Sequence, residues 1–317
     1  MPSVSHWEEV RPRRREVGHI GGTWFDLGSA AGSVTVGVQR IQIDPGKWST
    51  PAHVEGVDEE IFFVLGGSGL SWQLNAEGPA AYEVGEGDCL VHLPGNEAHT
   101  LRAGPSGLDV LVFGGRAPDG NTVLPRARVG WMGPAFVEAT PADFQQGEHP
   151  FVREAAAGEP EVGELLERPP SIVNVRDVEA ETFGPGETVR SVAHDLGVAA
   201  GSIRTGLNQI LVAPGKLNVP PHCHSAEEEF FVILEGEGVL LLGEEEHDVR
   251  RGSIVARPAG TRVAHAFRGG PGGLTLMSYG TREPNDIVYY PRSNKISWRG
   301  VGVIGRIERL EYWDGEA

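Results

Sequence analysis

The chain has 317 residues, enough for two cores of ordinary domain size, and a formal net charge of −17 from 27 basic and 44 acidic residues. That balance excludes nucleic-acid and anionic-membrane binding, which rest on basic surfaces, and no apolar stretch approaches the roughly 20 residues of a membrane-spanning helix. With 45 glycines and 23 prolines the chain promises many tight turns between short strands, and it is expected to be all-β.

In chain order, the first feature is the basic run Arg11-Pro12-Arg13-Arg14-Arg15. No apolar core follows it, so it lacks the form of a signal peptide and reads as a solvated arm or a subunit contact. Residues 34–43 alternate like a strand. His53, Glu55, Glu60 and His99 then offer two imidazoles and two carboxylates as a possible second metal site. Trp48, Trp72 and Phe62-Phe63 are expected to make the surrounding pocket bulky and apolar, and His92 is given a strand-face or hydrogen-bonding role. An acidic linker over 137–170 is expected to join a barrel at 1–136 to a second at 171–317 and to hold a short helix near 162–168. The two cysteines, Cys89 and Cys223, suggest no disulfide framework, so a cytoplasmic location is expected.

The second half repeats the first. Asp26-Leu27-Gly28 reappears as Asp195-Leu196-Gly197, and the same offset of 169 residues takes His53 to His222 and Glu60 to Glu229. Further on an offset of 166 takes His99 to His265, Arg116 to Arg282 and Pro118 to Pro284. A period this long marks a duplicated domain rather than a solenoid. In this half the ligand set is fuller. His222 and His224 stand two apart, so an extended strand turns both rings to one face. Glu229 opens the apolar run to Leu234, with Phe231 and Ile233 in phase with it. His265 arrives from a third segment. Cys223, between the histidines, points to the opposite face as a small buried hydrophobe, while Glu227, Glu228, His194 and His247 read as surface groups. Arg204, Arg257 and Arg268 are candidates to bind an anionic substrate. Parallel arms follow each half at 116–126 and 282–292, expected to pack on the partner barrel or another subunit and so to favour a homo-oligomer. The tail at 301–313 has strand-like spacing and is expected to add an edge strand.

These residues resemble the cupin superfamily, specifically a two-domain bicupin. The first motif reads Gly215, six residues, His222-Cys223-His224, four residues, Glu229, six residues, Gly236. The second matches at Gly252, Pro258, Gly260 and His265, with a longer gap before the histidine and Gly269 in place of the closing asparagine. The resemblance implies two tandem jelly-roll barrels and a metal held by His222, His224, Glu229 and His265. Donors of this kind suit Fe(II) or Mn(II), with Ni(II) or Zn(II) as other choices. It also implies a dioxygenase of the quercetin or gentisate type, acting on a small enol, diketone or dihydroxy substrate chelated to the metal, with Glu229 as ligand and base. The alternatives are a redox-neutral isomerase, decarboxylase or lyase of a small acid or sugar, and a non-catalytic metabolite-binding bicupin.

Overall fold

The computed structural model describes residues 4–117, 119–132, 135–139, 144–146 and 148–316. Pro118, the repeat partner of Pro284, and parts of the joining segment lie outside the described residues. Each half builds one large antiparallel sheet and one small one. In the first half the 8-stranded sheet runs Ile172–Asn174, Asp88–His92, Glu60–Asn75, Ala98–Gly115, Val36–Ile43, Ile20–Asp26 and Arg13–Val17, with Gly78–Gly85 paired to Glu60–Asn75. In the second it runs Ser5–His6, Ser253–Arg257, Glu229–Leu242, His265–Thr281, Thr205–Val212, Ser191–Asp195 and Ala180–Phe183, with Glu245–Arg250 on Glu229–Leu242. The chain is two tandem jelly-roll barrels, as the duplication requires.

The first strand of each half is exchanged. Ser5–His6 pairs with Ser253–Arg257 of the second barrel, and Ile172–Asn174 pairs with Asp88–His92 of the first. Each loan covers a sheet edge whose N–H and C=O groups would otherwise lie open. The sequence suggested that the arms after the barrels pack on the partner barrel or another subunit; among the described residues each arm pairs with a short strand of its own barrel. Asn121–Leu124 pairs with Val54–Glu55, and Ile287–Tyr290 pairs with Cys223–His224. The short strands that carry the histidine motifs need a hydrogen-bonding neighbour, and each arm returns to its own barrel to supply it. Beyond the second arm, Val303–Arg306 adds an edge strand to Lys295–Trp298.

Period-two alternation divides the apolar residues between two kinds of core. Ile61, Phe63, Phe230 and Val232 enter a core shared by both barrels, where Phe113 stacks on Tyr279 at 5.1 Å. Phe62 and Val64 turn into the first barrel beside Trp48 and Trp72, and Phe231 and Ile233 turn into the second beside Phe267. Phe63 therefore does not line the first pocket: it lies one residue out of phase.

Two glutamates clasp the barrels together. Glu59, 2% exposed, accepts hydrogen bonds from the Ile203 and Arg204 N–H groups on one oxygen (2.8 and 2.9 Å) and from Ser202 Oγ, Thr205 Oγ1 and the Thr205 N–H on the other (2.8, 2.8 and 3.1 Å). Its repeat equivalent Glu228, 1% exposed, takes donors from the matching loop of the first half: Ser33 Oγ, the Val34 and Thr35 N–H groups and Thr35 Oγ1. Glu227 is also buried, with Arg299 2.6 Å away and the Glu283 N–H donating to it. The surface role expected for Glu227 and Glu228 is thus overturned, because donors distant in sequence satisfy both carboxylates.

The joining segment straps the first barrel. Its helix is Pro150–Ala156, not 162–168: Pro150 and the His149 side chain, which accepts from the Phe151 N–H, start it there. Pro160, a left-handed Gly163 and Pro169-Pro170 keep 162–168 out of helix, and the Leu166 N–H joins the Ala81 carbonyl instead. Phe151 enters the first barrel's core, and the Trp48 and Trp72 indoles donate to Glu159 and to the Glu161 carbonyl. Among the described residues, no helix is long and apolar enough to cross a membrane.

Candidate metal centre

Backbone pairing assembles the C-terminal cluster. His222 and His265 face each other across a two-bond bridge, with N–H···O=C distances of 3.2 and 2.8 Å. His224 enters from Cys223–His224, and Glu229 opens Glu229–Leu242. Their side chains converge: Glu229 Oε2 lies 2.9 Å from His265 Nε2, 3.3 Å from His224 Nε2 and 3.9 Å from His222 Nε2. Three of these atoms, His224 Nε2, His265 Nε2 and Glu229 Oε2, are buried without a hydrogen-bond partner. Buried polar atoms are rarely left so, and three at one point call for a cation between them. The donor set of imidazole nitrogens and carboxylate oxygen fits a first-row divalent ion.

The far nitrogens are fixed by acceptors. His222 Nδ1 donates to the Pro220 carbonyl at 3.0 Å and His224 Nδ1 to Asp286 Oδ2 at 2.7 Å, which leaves each Nε2 turned inward as a ligand. Asp286 is 1% exposed, and its other oxygen accepts from the Ser225, Ala226 and Glu227 N–H groups. Burial opposes its charge, but His224 and these N–H groups hold it at a pKa of about 2. Burial likewise opposes a charged His224, and Asp286 with Glu229 outweighs it, raising that ring to about 10. His222 is lowered to about 4 by burial and the neighbouring rings. Burial opposes the charge on Glu229, yet His265 and His224 hold it well below its ordinary value.

Around the cluster, Phe231 packs 5.5 Å from the His265 ring, and Ile233 lies deeper in the barrel. Arg257 stands across the strand ladder from Glu229, with its Nε buried and unpartnered and one terminal nitrogen on Thr261 and the Val263 carbonyl. Arg204 does not join the cluster. It sits at the seam between barrels, its guanidinium on the Val57 carbonyl, because its backbone belongs to the clasp around Glu59. Arg268 is paired with Glu246 on the surface. Tyr290, which the sequence reading passed over, lies over His222 with ring centroids 5.8 Å apart, and burial first, then the nearby carboxylates, keeps its phenol protonated.

The N-terminal cluster is built alike but closed on itself. Glu60 Oε2 accepts from His99 Nε2 at 2.8 Å and from His53 Nε2 at 3.2 Å, and Glu55 accepts from Thr122 Oγ1 at 2.9 Å. None of these donors or acceptors is orphaned among the described residues. Burial opposes the charge on His53, yet Glu60 and Glu55 raise it to about 9, while His99 is lowered to about 4 by burial and by His92. His92 stacks on His99 at 3.8 Å and bonds Glu97 at 2.7 Å.

The family model described as a cupin domain matches residues 208–272, the span that holds His222, His224, Glu229 and His265. No curated protein matches the sequence. Among solved structures, Lactobacillus farciminis oxalate decarboxylase in its formate complex superposes with a TM-score of 0.60 at 15% identity, covering 89% of this chain and 86% of that one. A mutant of Bacillus subtilis oxalate decarboxylase gives 0.59 at 16%, covering 88% and 76%. A further structure of the Bacillus subtilis enzyme, from work on its Mn(II) centres, gives 0.57 at 14%, covering 88% and 76%. At these identities the likeness is one of fold. With the duplicated barrels and the motif residues gathered at one point, the chain has the fold of a bicupin, two jelly-roll barrels in tandem, and its second barrel carries the matched cupin domain.

Proposed function

We propose that this bicupin is a metal-dependent, redox-neutral lyase that decarboxylates a small carboxylic acid in its C-terminal barrel. The observation that carries the reading is the convergence of three orphaned, buried ligand atoms beside Arg257, an arginine with an unpartnered Nε. The solved structures it resembles are oxalate decarboxylases, one from work on Mn(II) centres, which favours this reaction and Mn(II) or Fe(II) over the dioxygenase expected from sequence. His222, His224, Glu229 and His265 would hold the ion, which supplies Lewis-acid polarisation of the substrate's oxygens.

The chain's own residues divide the remaining work. Arg257 would pair with the substrate carboxylate, and Phe231 and Ile233 would exclude water and favour a small acid. The bond to the departing CO2 leaves its electron pair on the substrate carbon, which must then take a proton. Glu229 is held ionised and is a poor donor, whereas the Tyr290 phenol stays protonated on the ring beside His222 and would give one. Two buried free cysteines accord with a cytoplasmic location, and exposed Leu310, Tyr312 and Trp313 on the tail support a homo-oligomer. Mn(II)-loaded protein assayed against a panel of small mono- and dicarboxylic acids should release CO2 without net oxygen consumption. Oxygen uptake stoichiometric with product would instead establish the dioxygenase.

A further inference from the structure

The basic run near the N terminus has a role that its charge alone does not show. In Arg13–Val17 alternation puts Arg14 and Glu16 on one face and Arg13 and Arg15 on the other. The outer Arg14 is ion-paired, 2.6 Å from Asp44 and 3.4 Å from Glu16. Arg13 and Arg15 have no ion pair among the described residues. They border a cavity of about 330 Å³ in the first barrel, together with Trp24, Phe62, Phe151 and the His53–Glu60 pair.

The carboxylates on this cavity are already engaged. Asp26 accepts from the Ser29 N–H and hydroxyl and from Arg116, and Glu60 accepts from His53 and His99. Among the described residues, exposed Arg13 and half-buried Arg15 therefore border an aromatic cavity with no free anion to answer them. Arg15 lies with its guanidinium carbon 4.9 Å from the Phe151 ring and 5.9 Å from Trp24. Stacking of that kind uses the face of the guanidinium and leaves its edge N–H groups free for a planar anion.

We propose that the N-terminal barrel is a binding site for a small aromatic carboxylate, its carboxylate held by Arg13 and Arg15 and its ring enclosed by Trp24, Phe62 and Phe151. The volume stands at the low end of small-molecule sites, about 300 to 1,000 Å³, and so selects single-ring ligands. Burial, and then the charge of Arg13, lowers the pKa of Arg15, as expected of a cation short of a partner. Phe151 comes from the strap helix Pro150–Ala156, so occupancy of the site is tied to the docking of the joining segment. This site is separate from the C-terminal metal cluster and does not depend on the lyase reading.

Calorimetric titration of the full, metal-loaded chain with benzoate and 4-hydroxybenzoate tests the proposal, with benzyl alcohol as the uncharged counterpart. Both carboxylates should bind at about one per chain, and benzyl alcohol at least about tenfold more weakly. The double variant Arg13→Gln/Arg15→Gln should lose about tenfold or more, while Arg14→Gln on the outer face and His265→Ala in the other barrel stay within about twofold. In the unaltered protein, NMR shift changes on adding benzoate should centre on the Trp24 indole and Phe151. Absence of binding by both carboxylates, an Arg14→Gln loss equal to the double variant's, or shift changes confined to Phe231 and Tyr290 would each overturn it.

Discussion

Replacing Glu59 with glutamine tests whether the inter-barrel clasp holds the two halves together. The amide can keep one carbonyl oxygen for the Ile203 and Arg204 N–H groups, which turns its NH2 toward Ser202 Oγ, Thr205 Oγ1 and the Thr205 N–H. The two hydroxyls can rotate to accept, but the Thr205 N–H is left facing a donor. One stranded buried donor costs about 1–3 kcal/mol, and two retained bonds lose their charge assistance at about 1 kcal/mol each. The expected loss is therefore about 3–5 kcal/mol, a large share of an ordinary domain's stability. Urea unfolding followed by circular dichroism and tryptophan fluorescence would measure it, with exposed Glu181→Gln as a control that should change stability by less than about 0.5 kcal/mol. Burial alone would raise the Glu59 pKa, but the Arg204 and Ile203 N–H groups and the Ser202 and Thr205 hydroxyls pull it below the ordinary value. The charge therefore stabilises fully above the unfolded carboxyl's value, near ~4.3, and its contribution fades as pH falls through that point toward the lower folded value. The gap between wild type and Glu59→Gln should narrow below about pH 4. A loss under about 0.5 kcal/mol at neutral pH, or a gap that stays constant into acid, would refute the reasoning.

Three further outcomes follow from the two clusters. Asp286→Ala removes the acceptor that orients His224 and should weaken divalent-metal affinity by about 10- to 100-fold in chelator competition; unchanged affinity in a folded variant would contradict the role of that hydrogen bond. His53 is raised to about 9 by Glu60 and Glu55 against its burial. Its contribution to stability is thus complete below the unfolded histidine value of ~6.5 and is lost as pH rises through the folded value. The unfolding midpoints of wild type and His53→Gln should then differ most below that unfolded value and converge in mild alkali, and a difference growing with pH would reverse the sign argued here. Tyr290→Phe should lower kcat by about 10² or more with little change in KM, if the phenol supplies the proton; equal effects on both would show that it only binds.

What the sequence made legible was whatever short-range periodicity could carry. The two-residue spacing of His222 and His224 and the phase of Phe231 and Ile233 with Glu229 turn on strand alternation alone, and the 169-residue offset exposed the duplication. The same rule, applied strictly, would have placed Phe63 outside the first pocket and separated Arg14 from Arg13 and Arg15. Groups whose partners lie far along the chain were not legible. Glu228 belongs to an acidic run that reads as solvated surface, and Glu59 carries no signal of its own, since nothing nearby shows the loop from the other half that buries each of them. Asp286 stands 62 residues from the histidine it orients, and the exchange of Ser5–His6 and Ile172–Asn174 depends on which sheet edge lies free. The strap helix lies at Pro150–Ala156 rather than near 162–168 because the start signal, His149-Pro150, stands earlier, and the prolines and glycine around 162–168 bar a helix there.

The central claim is that the C-terminal barrel, through His222, His224, Glu229 and His265, holds the functional cation. Metal analysis of purified wild type beside His265→Ala and His53→Ala, each checked for native circular dichroism, tests it most directly. Wild type and His53→Ala should each carry about one divalent ion per chain and His265→Ala essentially none. A full complement in His265→Ala, or its loss in His53→Ala alone, would place the cation in the other barrel.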